Sequence, residues 1–341
     1  MITGALGLSA EDTRAVLAEA GLAPSVHNSQ PWRFRIEAHR IELLADTARR
    51  LPITDPDDRE LRLACGAALF NIRLGLLHRG VDPQVAIHPE PQGNGIAVIR
   101  SGGPTRIGAE DEALYRAIRH RRTNRRPFLD QPVAASERHA LVRAAEAEHC
   151  WLKVIGDRHS QADLHRLLLE AHRTQLGNPR WVEEFTEWIS RSPADREGVT
   201  LASSGPVPEP QDIWVLRDFG RGHAPVRRPG KDFESEPLIA VVTSYFDDPF
   251  AQVQAGQALQ RVLLSATTLG LSASFLSQLV EVAEARTEVR RLLGGGLFPQ
   301  AVLRIGYGSP VPPVPRRAVE DCLLGEPEAD HGSDRVSERA P

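Results

Sequence analysis

The chain has 341 residues, 41% of them hydrophobic, and a formal net charge of −4. This length allows one or two domains with a sizeable core, and the slight negative charge excludes a general attraction to nucleic acid or to anionic membranes. No apolar stretch is long enough to span a membrane and the first residues lack a leader pattern, so we expect a cytoplasmic protein without a membrane anchor. Cys65, Cys150 and Cys322 are widely spaced, which indicates neither a disulfide framework nor a structural zinc site.

Hydrophobic periodicity and turn residues predict alternating helices and strands in the first half of the chain. Ser9 is the predicted N-cap of the first helix, and Gly80 is the predicted end of the long helix that begins at residue 59. The predicted elements are, in order, a helix at about 9–20, two strands within 32–46, a helix over 59–80, strands at 84–88 and 95–100, and helices at about 109–120 and 136–147.

The second half repeats a related order of elements. They are a strand at 238–245, a helix at 251–270, a strand at 273–277, a helix at 282–294 and a strand at 301–308. At an offset of 190 residues, Gly66 falls on Gly256 and Gly80 on Gly270. We interpret this as an internal duplication that makes a pseudo-twofold molecule, with halves at 1–108 and 109–320.

An irregular segment over about 179–235 is inserted in the second half. It begins with a helix predicted at 179–190, and a long Pro/Gly-rich run follows. Long loops of this kind are lids, binding loops or disordered linkers. Trp181, Trp188 and Trp214 argue against simple disorder, because aromatic side chains normally bury themselves. The segment is therefore interpreted as a lid or a binding loop, whereas the polar tail at 321–341 is predicted to be disordered.

The strongest local charge is the run "RHRRTNRR" at 119–126. Three interpretations compete for it: a solvated basic surface, a nucleic-acid patch and an anion site. A nucleic-acid patch is disfavoured because no aromatic residues interleave with the arginines, and no nucleic-acid partner is expected. Arginine forks bind phosphate bidentately, and Thr123 and Asn124 add neutral donors, which favours an anion site.

The loop "APSVHNSQPWRF" at 23–34 combines prolines, short hydroxyls, amides and a tryptophan. It could be a capped turn fixed by a buried Trp32. It could also present Asn28 and Gln30 to the polar edge of a planar heterocycle, whose carbonyl and N–H groups match amides. A phosphate site and a heterocycle site together indicate a nucleotide-like cofactor.

No metal site is expected. His159, His165 and His172 recur along a predicted helix, but their spacing puts the first two on different faces and the last two about 10.5 Å apart. A solvated face is the better interpretation of these histidines.

The two motifs carry a family resemblance. "PSVHNSQPW" at 24–32 resembles the Pro-Ser-x-x-Asn-x-Gln-Pro-Trp motif of the FMN-dependent nitroreductase family, and "RRTNR" at 121–125 is similar to its Arg-x-Ser-x-Arg/Lys motif. With "CGAALFNIRL", "AGQALQRVLLSA" and "PQAVLRIGYGSP", the sequence most resembles the Acg-like branch. The resemblance implies an α+β nitroreductase-like fold with mixed or antiparallel sheets flanked by helices, two fused halves forming a pseudo-dimer, and one FMN between them.

The resemblance also implies roles for individual residues. Arg121 would hold the phosphate or ribityl end, Thr123 the ribityl region, and Arg125 the N1–O2 edge of the ring. The backbone N–H groups of Ser277 and Gln278 would face flavin N5. The full set of implied FMN-binding residues is Pro24, Ser25, Asn28, Gln30, Arg121, Arg122, Thr123, Arg125, Ser277, Gln278, Arg316 and Arg317, the last two closing on the phosphate, while the role of His27 stays open.

As an enzyme, such a flavoprotein would transfer hydride from NAD(P)H to a nitroaromatic, a quinone or a similar small electrophile. Direct hydride transfer requires no acid or base, so no catalytic residue is named. The resemblance to the Acg-like branch also implies a lid over the flavin at about 179–235. A second interpretation is therefore a protein whose closed lid lets it only sequester FMN or sense redox state. The sequence does not decide between these two, between NADH and NADPH, or between a monomer and a homodimer.

Overall fold

The computed structural model describes residues 2–88, 93–223 and 237–324. The predicted tail beyond residue 324 and part of the predicted lid, 224–235, lie outside the described residues. The helices and strands are α1 (Ala10–Ala20), β1 (Trp32–Glu37), β2 (Arg40–Ala45), α2 (Arg59–His78), β3 (Val81–Ile87), β4 (Gly95–Pro104), α3 (Ala109–Ala117), α4 (Ala135–Glu146), β5 (Trp151–Ile155), α5 (Arg158–Leu176), α6 (Pro179–Trp188), β6 (Ile189–Arg191), β7 (Val199–Thr200), β8 (Leu238–Ser244), α7 (Pro249–Thr268), β9 (Ser272–Phe275), α8 (Gln278–Glu281), α9 (Ala283–Leu292) and β10 (Phe298–Gly306).

Two four-stranded antiparallel sheets dominate the described architecture. Their strand orders are β1-β2-β4-β3 and β5-β8-β10-β9, and a short β6–β7 pair is parallel. In each half a helix precedes two strands, a long helix follows, and two more strands complete the sheet in the same spatial order. This shared order supports the predicted internal duplication, which itself stays a prediction.

The long helices α2 and α7 lie against each other between the sheets. A Cβ built on Gly66 would lie 2.1 Å from the Val253 carbonyl oxygen, and one built on Gly256 would lie 2.2 Å from the Leu63 carbonyl oxygen. Residue numbers in these two contacts differ by the same offset of 190, so the contacts are reciprocal, as in a twofold interface. Glycine is required at this crossing because the two backbones approach too closely for any side chain.

The sequence pattern predicts most of these elements, within four residues at their ends. Ser9 caps α1 as predicted, its hydroxyl oxygen accepting the Asp12 backbone N–H at 3.0 Å. Strand β5 is not indicated by the sequence because it is short and carries a charged, exposed residue, Lys153, at its centre. It forms through pairing with β8, which is a tertiary effect. Within the described ranges, no helix combines the length and apolarity of a membrane span.

Candidate functional site

The loop that joins α1 to β1 has an unusual backbone. His27, Asn28 and Gln30 have φ values of 50°, 60° and 53°, in the left-handed region that favours glycine. The Ser25 hydroxyl oxygen accepts the Gln30 backbone N–H at 2.9 Å, and the fully buried Trp32 anchors the end of the loop. Such strained residues cost about 1–3 kcal/mol each and cluster at binding sites. The conformation therefore marks this loop as a functional candidate.

The arginine motif follows α3 and runs beside the second sheet. Thr123 forms an isolated bridge with Ala273 of β9, and the Asn124 backbone N–H donates to the Ala273 carbonyl at 2.9 Å. Arg304 of β10, fully buried, donates to the carbonyls of Asn124 and Arg126. These bonds hold the motif on the second sheet, opposite the strained loop of the first half.

A cavity lies where these two segments meet, and the space inside it, together with the open solvent at its mouth, amounts to about 1020 Å³. Both halves of the chain contribute to its walls. The predicted site residues that line it are Pro24, Ser25, Thr123, Arg125, Ser277 and Gln278.

A smaller cavity of about 390 Å³ adjoins the large one. The two share the lining residues Pro24, Ser25, Thr123 and Arg125, so they form one continuous site. The smaller cavity adds the predicted residues Asn28, Arg121, Arg122 and Arg316.

Three arginines, Arg121, Arg122 and Arg316, line the smaller cavity, and no carboxylate among the described residues neutralises their charge. Burial, together with the charges of Arg316 and Arg122, lowers the pKa of Arg121 to about 9. Burial and the charge of Arg122 lower the pKa of Arg316 to about 10. Arg121 donates from Nη2 to the Leu22 carbonyl at 3.2 Å, while its buried Nε and Nη1 have no partner among the described residues. Within that part of the chain no carboxylate lies within ion-pair distance of these three arginines. An anionic group fits this end of the site.

Arg125 stands at the junction of the two cavities. Its guanidinium lies 4.5 Å from the centre of the Phe219 ring, and Nη1 donates to the Ser203 carbonyl at 3.0 Å. Burial and the nearby charge of Arg217 lower its pKa to about 10. The chain thus holds a desolvated cation at the wall that both cavities share.

Ser277 and Gln278 lie in the large cavity, at the start of α8. The Ser277 hydroxyl oxygen accepts from Arg217 Nη1 at 2.8 Å. Neither residue's backbone N–H donates a hydrogen bond to another backbone group within the described residues. Both are available to a bound molecule.

Three predicted residues take other positions. Gln30 and Arg317 line neither cavity: the Arg317 backbone N–H donates to Gln30 Oε1 at 2.9 Å, and its guanidinium reaches Asp46 Oδ2 at 3.2 Å. They hold the 314–317 segment against the loop. Asn28 lines only the smaller cavity, because its amide donates to the carbonyls of Gly198 and Pro315.

His27 lines the large cavity. Its ring packs edge-on against Phe185 at 5.2 Å between ring centres, and burial followed by the charge of Arg217 lowers its pKa to about 3. The imidazole is therefore neutral, and within the described chain its Nε2 has no hydrogen-bond partner.

The segment predicted as a lid supplies one wall of the large cavity. Trp214, Leu216, Arg217 and Phe219 line it. Arg217 forms a buried ion pair with Glu281 and donates to Gln175 Oε1 at 2.8 Å. Burial is the largest single influence and would raise the pKa of Glu281, but the charge and the hydrogen bond of Arg217, together with His27 and Ser277, hold the pKa below its usual value.

Sequence reasoning missed Glu60, Arg217, Glu281 and Arg304. Glu60 belongs to the acidic start of α2, where a carboxylate is typical of a helix N-terminus and gives no separate signal. Arg217 and Glu281 are 64 residues apart in the chain, so only the fold brings them together.

Comparisons with known proteins find relatives that are similar over most of this chain. No protein-family model matches the chain. A protein of Mycobacterium tuberculosis (strain H37Rv) named "Putative NAD(P)H nitroreductase Rv3131" is 31% identical over 323 residues, which cover 92% of this chain and 91% of the relative. "Putative NAD(P)H nitroreductase acg" of the same strain is 29% identical over 310 residues, 88% of this chain and 92% of the relative.

Solved nitroreductases with bound FMN are more distant. The one from Desulfitobacterium hafniense DCB-2 is 14% identical with a TM-score of 0.39, covering 63% of this chain and 98% of that one. The one from Bacteroides fragilis NCTC 9343 is 16% identical with a TM-score of 0.35, covering 66% and 98%.

The likeness to the mycobacterial relatives extends over nearly the whole chain and confirms the family resemblance of the two motifs. The chain belongs to the nitroreductase family, in the Acg-like branch with these relatives.

Proposed function

We propose that the protein binds one FMN between its halves, 1–108 and 109–320, and acts as an NAD(P)H-dependent oxidoreductase. The acceptor would be a nitroaromatic, a quinone or a similar small electrophile. The observation that carries the proposal is the cluster of the buried Arg121 with the half-buried Arg122 and Arg316. This cluster has no carboxylate partner among the described residues and is continuous with the large cavity.

The smaller cavity fits the phosphate of FMN. A phosphate dianion would accept hydrogen bonds from the unpartnered Nε and Nη1 of Arg121 and would relieve the repulsion among the three guanidinium groups. Arg122 and Arg316 would neutralise the remaining charge, and Thr123 would contact the ribityl chain between the two cavities.

The large cavity fits the ring system. Pro24 and Ser25 would contact it from the first half, and the backbone N–H groups of Ser277 and Gln278 from the second. When bound, FMN would accept a hydride from NAD(P)H and pass it to the acceptor. Arg125 would place its charge beside the ring and favour negative charge there.

A second candidate function is FMN storage or redox sensing, with the 179–235 segment acting as a closed lid. The buried ion pair between Arg217 and Glu281 favours it, because this pair ties the segment to α8, the helix whose first residues line the cavity. Removing one member of such a pair leaves an unpaired buried charge, so opening the lid would be costly.

The visible spectrum of the FMN-loaded, desalted protein tests both functions. We expect flavin to remain bound after desalting, because the phosphate end supplies charge-assisted hydrogen bonds. Anaerobic NADPH or NADH should then bleach the flavin absorbance within seconds, and a quinone should restore it.

Two other outcomes are informative. Flavin that stays oxidised with both nicotinamides but bleaches with dithionite would support storage or sensing. A desalted protein without flavin would refute both functions. It would also favour the interpretation of the arginine cluster as a basic patch that binds no phosphate.

A further inference from the structure

Glu60 is a buried carboxyl group in the wall of the large cavity that none of the roles above uses. It lies in the first turn of α2 and is 9% exposed. Its Oε1 lies 3.2 Å from Arg59 Nη2, whereas the buried Oε2 has no hydrogen-bond partner among the described residues. A buried carboxyl oxygen without a partner is rare in proteins, which points to a bound molecule as the partner.

The surroundings of Glu60 favour the protonated carboxyl. Glu281, Asp55, Arg59 and Arg217 are the charged groups around it. Burial, and then the Glu281 carboxylate, raises its pKa to about 8 against the opposing effect of Arg59. The two neighbouring carboxylates have other partners. Glu281 is paired with Arg217, and Asp55 accepts the backbone N–H groups at the start of α2. At neutral pH most of the Glu60 side chains therefore carry a proton.

The proposed acceptors require a proton inside the cavity. When a quinone receives a hydride, one of its oxygens gains negative charge and must take up H⁺ to give the hydroquinone. In the NAD(P)H step the negative charge would form on the cofactor, where Arg125 would stabilise it, so that step needs no proton donor. A neutral acid on a residue that lines the cavity, with one carboxyl oxygen left unpartnered by the described residues, suits the acceptor step and not the nicotinamide step.

We propose that Glu60 is a catalytic proton donor to the oxygen of the electrophilic acceptor. The inference rests on the proposed function and deepens it. The hydride, which carries the electron pair, would come from NAD(P)H by way of the cofactor. The O–H bond at Glu60 breaks as an O–H bond forms on the acceptor oxygen. Arg59 stabilises the carboxylate that remains, until a proton from water restores the acid.

The test compares wild type with Glu60→Gln, using FMN-loaded protein reduced anaerobically by one equivalent of dithionite, so that the nicotinamide step is bypassed. Reoxidation by 1,4-benzoquinone is followed between pH 6 and 9.5. The wild-type rate should fall as the pH rises through about 8, where Glu60 loses its proton. E60Q should be about 100-fold slower at pH 7 and should lack this pH dependence.

Ferricyanide is the matched acceptor, because it takes up electrons and no proton. E60Q should reoxidise with ferricyanide at the wild-type rate. Glu60→Asp keeps an acid with a shorter reach, and should recover part of the quinone rate together with its pH dependence. Glu148→Gln is the control variant, because Glu148 is buried but lines neither cavity.

A second readout does not depend on turnover. The infrared carbonyl band of a protonated carboxyl should appear in the wild-type minus E60Q difference spectrum at pH 7, and should disappear above about pH 9.

Three results would overturn the proposal. They are a wild-type quinone rate and pH profile in E60Q, an equal loss of rate with ferricyanide, or no protonated carboxyl band assigned to Glu60. A wild-type protein that retains no flavin would instead refute the proposed function, and this step with it.

Discussion

Replacing Arg121 by glutamine is expected to weaken FMN binding by about 100-fold. The substitution removes the two guanidinium nitrogens, Nε and Nη1, that have no partner among the described residues. Hydrogen bonds to charged groups contribute about 1.5–3 kcal/mol each, and a loss of about 2.7 kcal/mol corresponds to 100-fold in affinity. Titration of the apoprotein with FMN, followed by flavin fluorescence, measures the effect.

In the absence of FMN, the R121Q apoprotein should be at least as stable as the wild-type apoprotein. The lowered pKa of Arg121 means that its positive charge is disfavoured in the folded protein, by burial first and then by Arg316 and Arg122. Removing that charge relieves the repulsion, so the apoprotein variant should unfold at the wild-type temperature or above it. Binding residues that cost stability are common.

Two controls identify the phosphate as the group that Arg121 holds. Riboflavin lacks the phosphate, so wild type and R121Q should bind it equally well. Arg119→Gln removes a charge from the same basic run, but this side chain is 69% exposed and pairs with Glu19, so FMN affinity should change less than twofold. Equal FMN affinity in wild type and R121Q would contradict the assignment.

Replacing Gly66 by alanine is expected to lower the free energy of unfolding by about 3 kcal/mol or more. The new Cβ would lie 2.1 Å from the Val253 carbonyl oxygen. This oxygen belongs to the backbone of a helix, so it cannot rotate away from the clash as a side chain could. The helices α2 and α7 would have to separate, and overpacking of this kind typically costs about 1–3 kcal/mol, occasionally more. Helix propensity alone predicts the opposite sign, a gain of about 1 kcal/mol.

The consequence should reach the cofactor site. The strained loop belongs to the first half and the arginine motif to the second, so separating the central helices would move the two walls of the site apart. G66A should therefore lose FMN affinity as well as stability.

Gly156→Ala is the matched control, because a Cβ there meets no atom within 4 Å. Its stability should stay within about 0.5 kcal/mol of wild type. Urea unfolding of all three proteins, followed by circular dichroism, provides the comparison. An unfolding free energy for G66A at or above the wild-type value would refute the close helix crossing.

Much of the fold could be predicted because it depends on local patterns. The long helices α2 and α7 are apolar around most of their surface, and the equal spacing of Gly66 and Gly256 marks the place where they cross. The strained loop and the arginine motif were recognisable because several residues of unusual type stand close together in the sequence.

The contacts that complete the site depend on the fold and leave no local signal. The start of α2 reads as an ordinary charged helix N-terminus, yet it brings Glu60 into the cavity. Gln30 and Arg317 match the family motifs but contact each other instead of the cavity, across 287 residues of sequence. Motif spacing indicates which segments meet, whereas packing decides which side chains face the space between them.

The stoichiometry of FMN binding tests the central claim most directly. Calorimetric titration of the apoprotein with FMN should give one site per chain, because the halves contribute different motifs to one continuous cavity. An absence of binding would contradict the account. A value of two sites per chain would also contradict it, since each half would then build a site of its own.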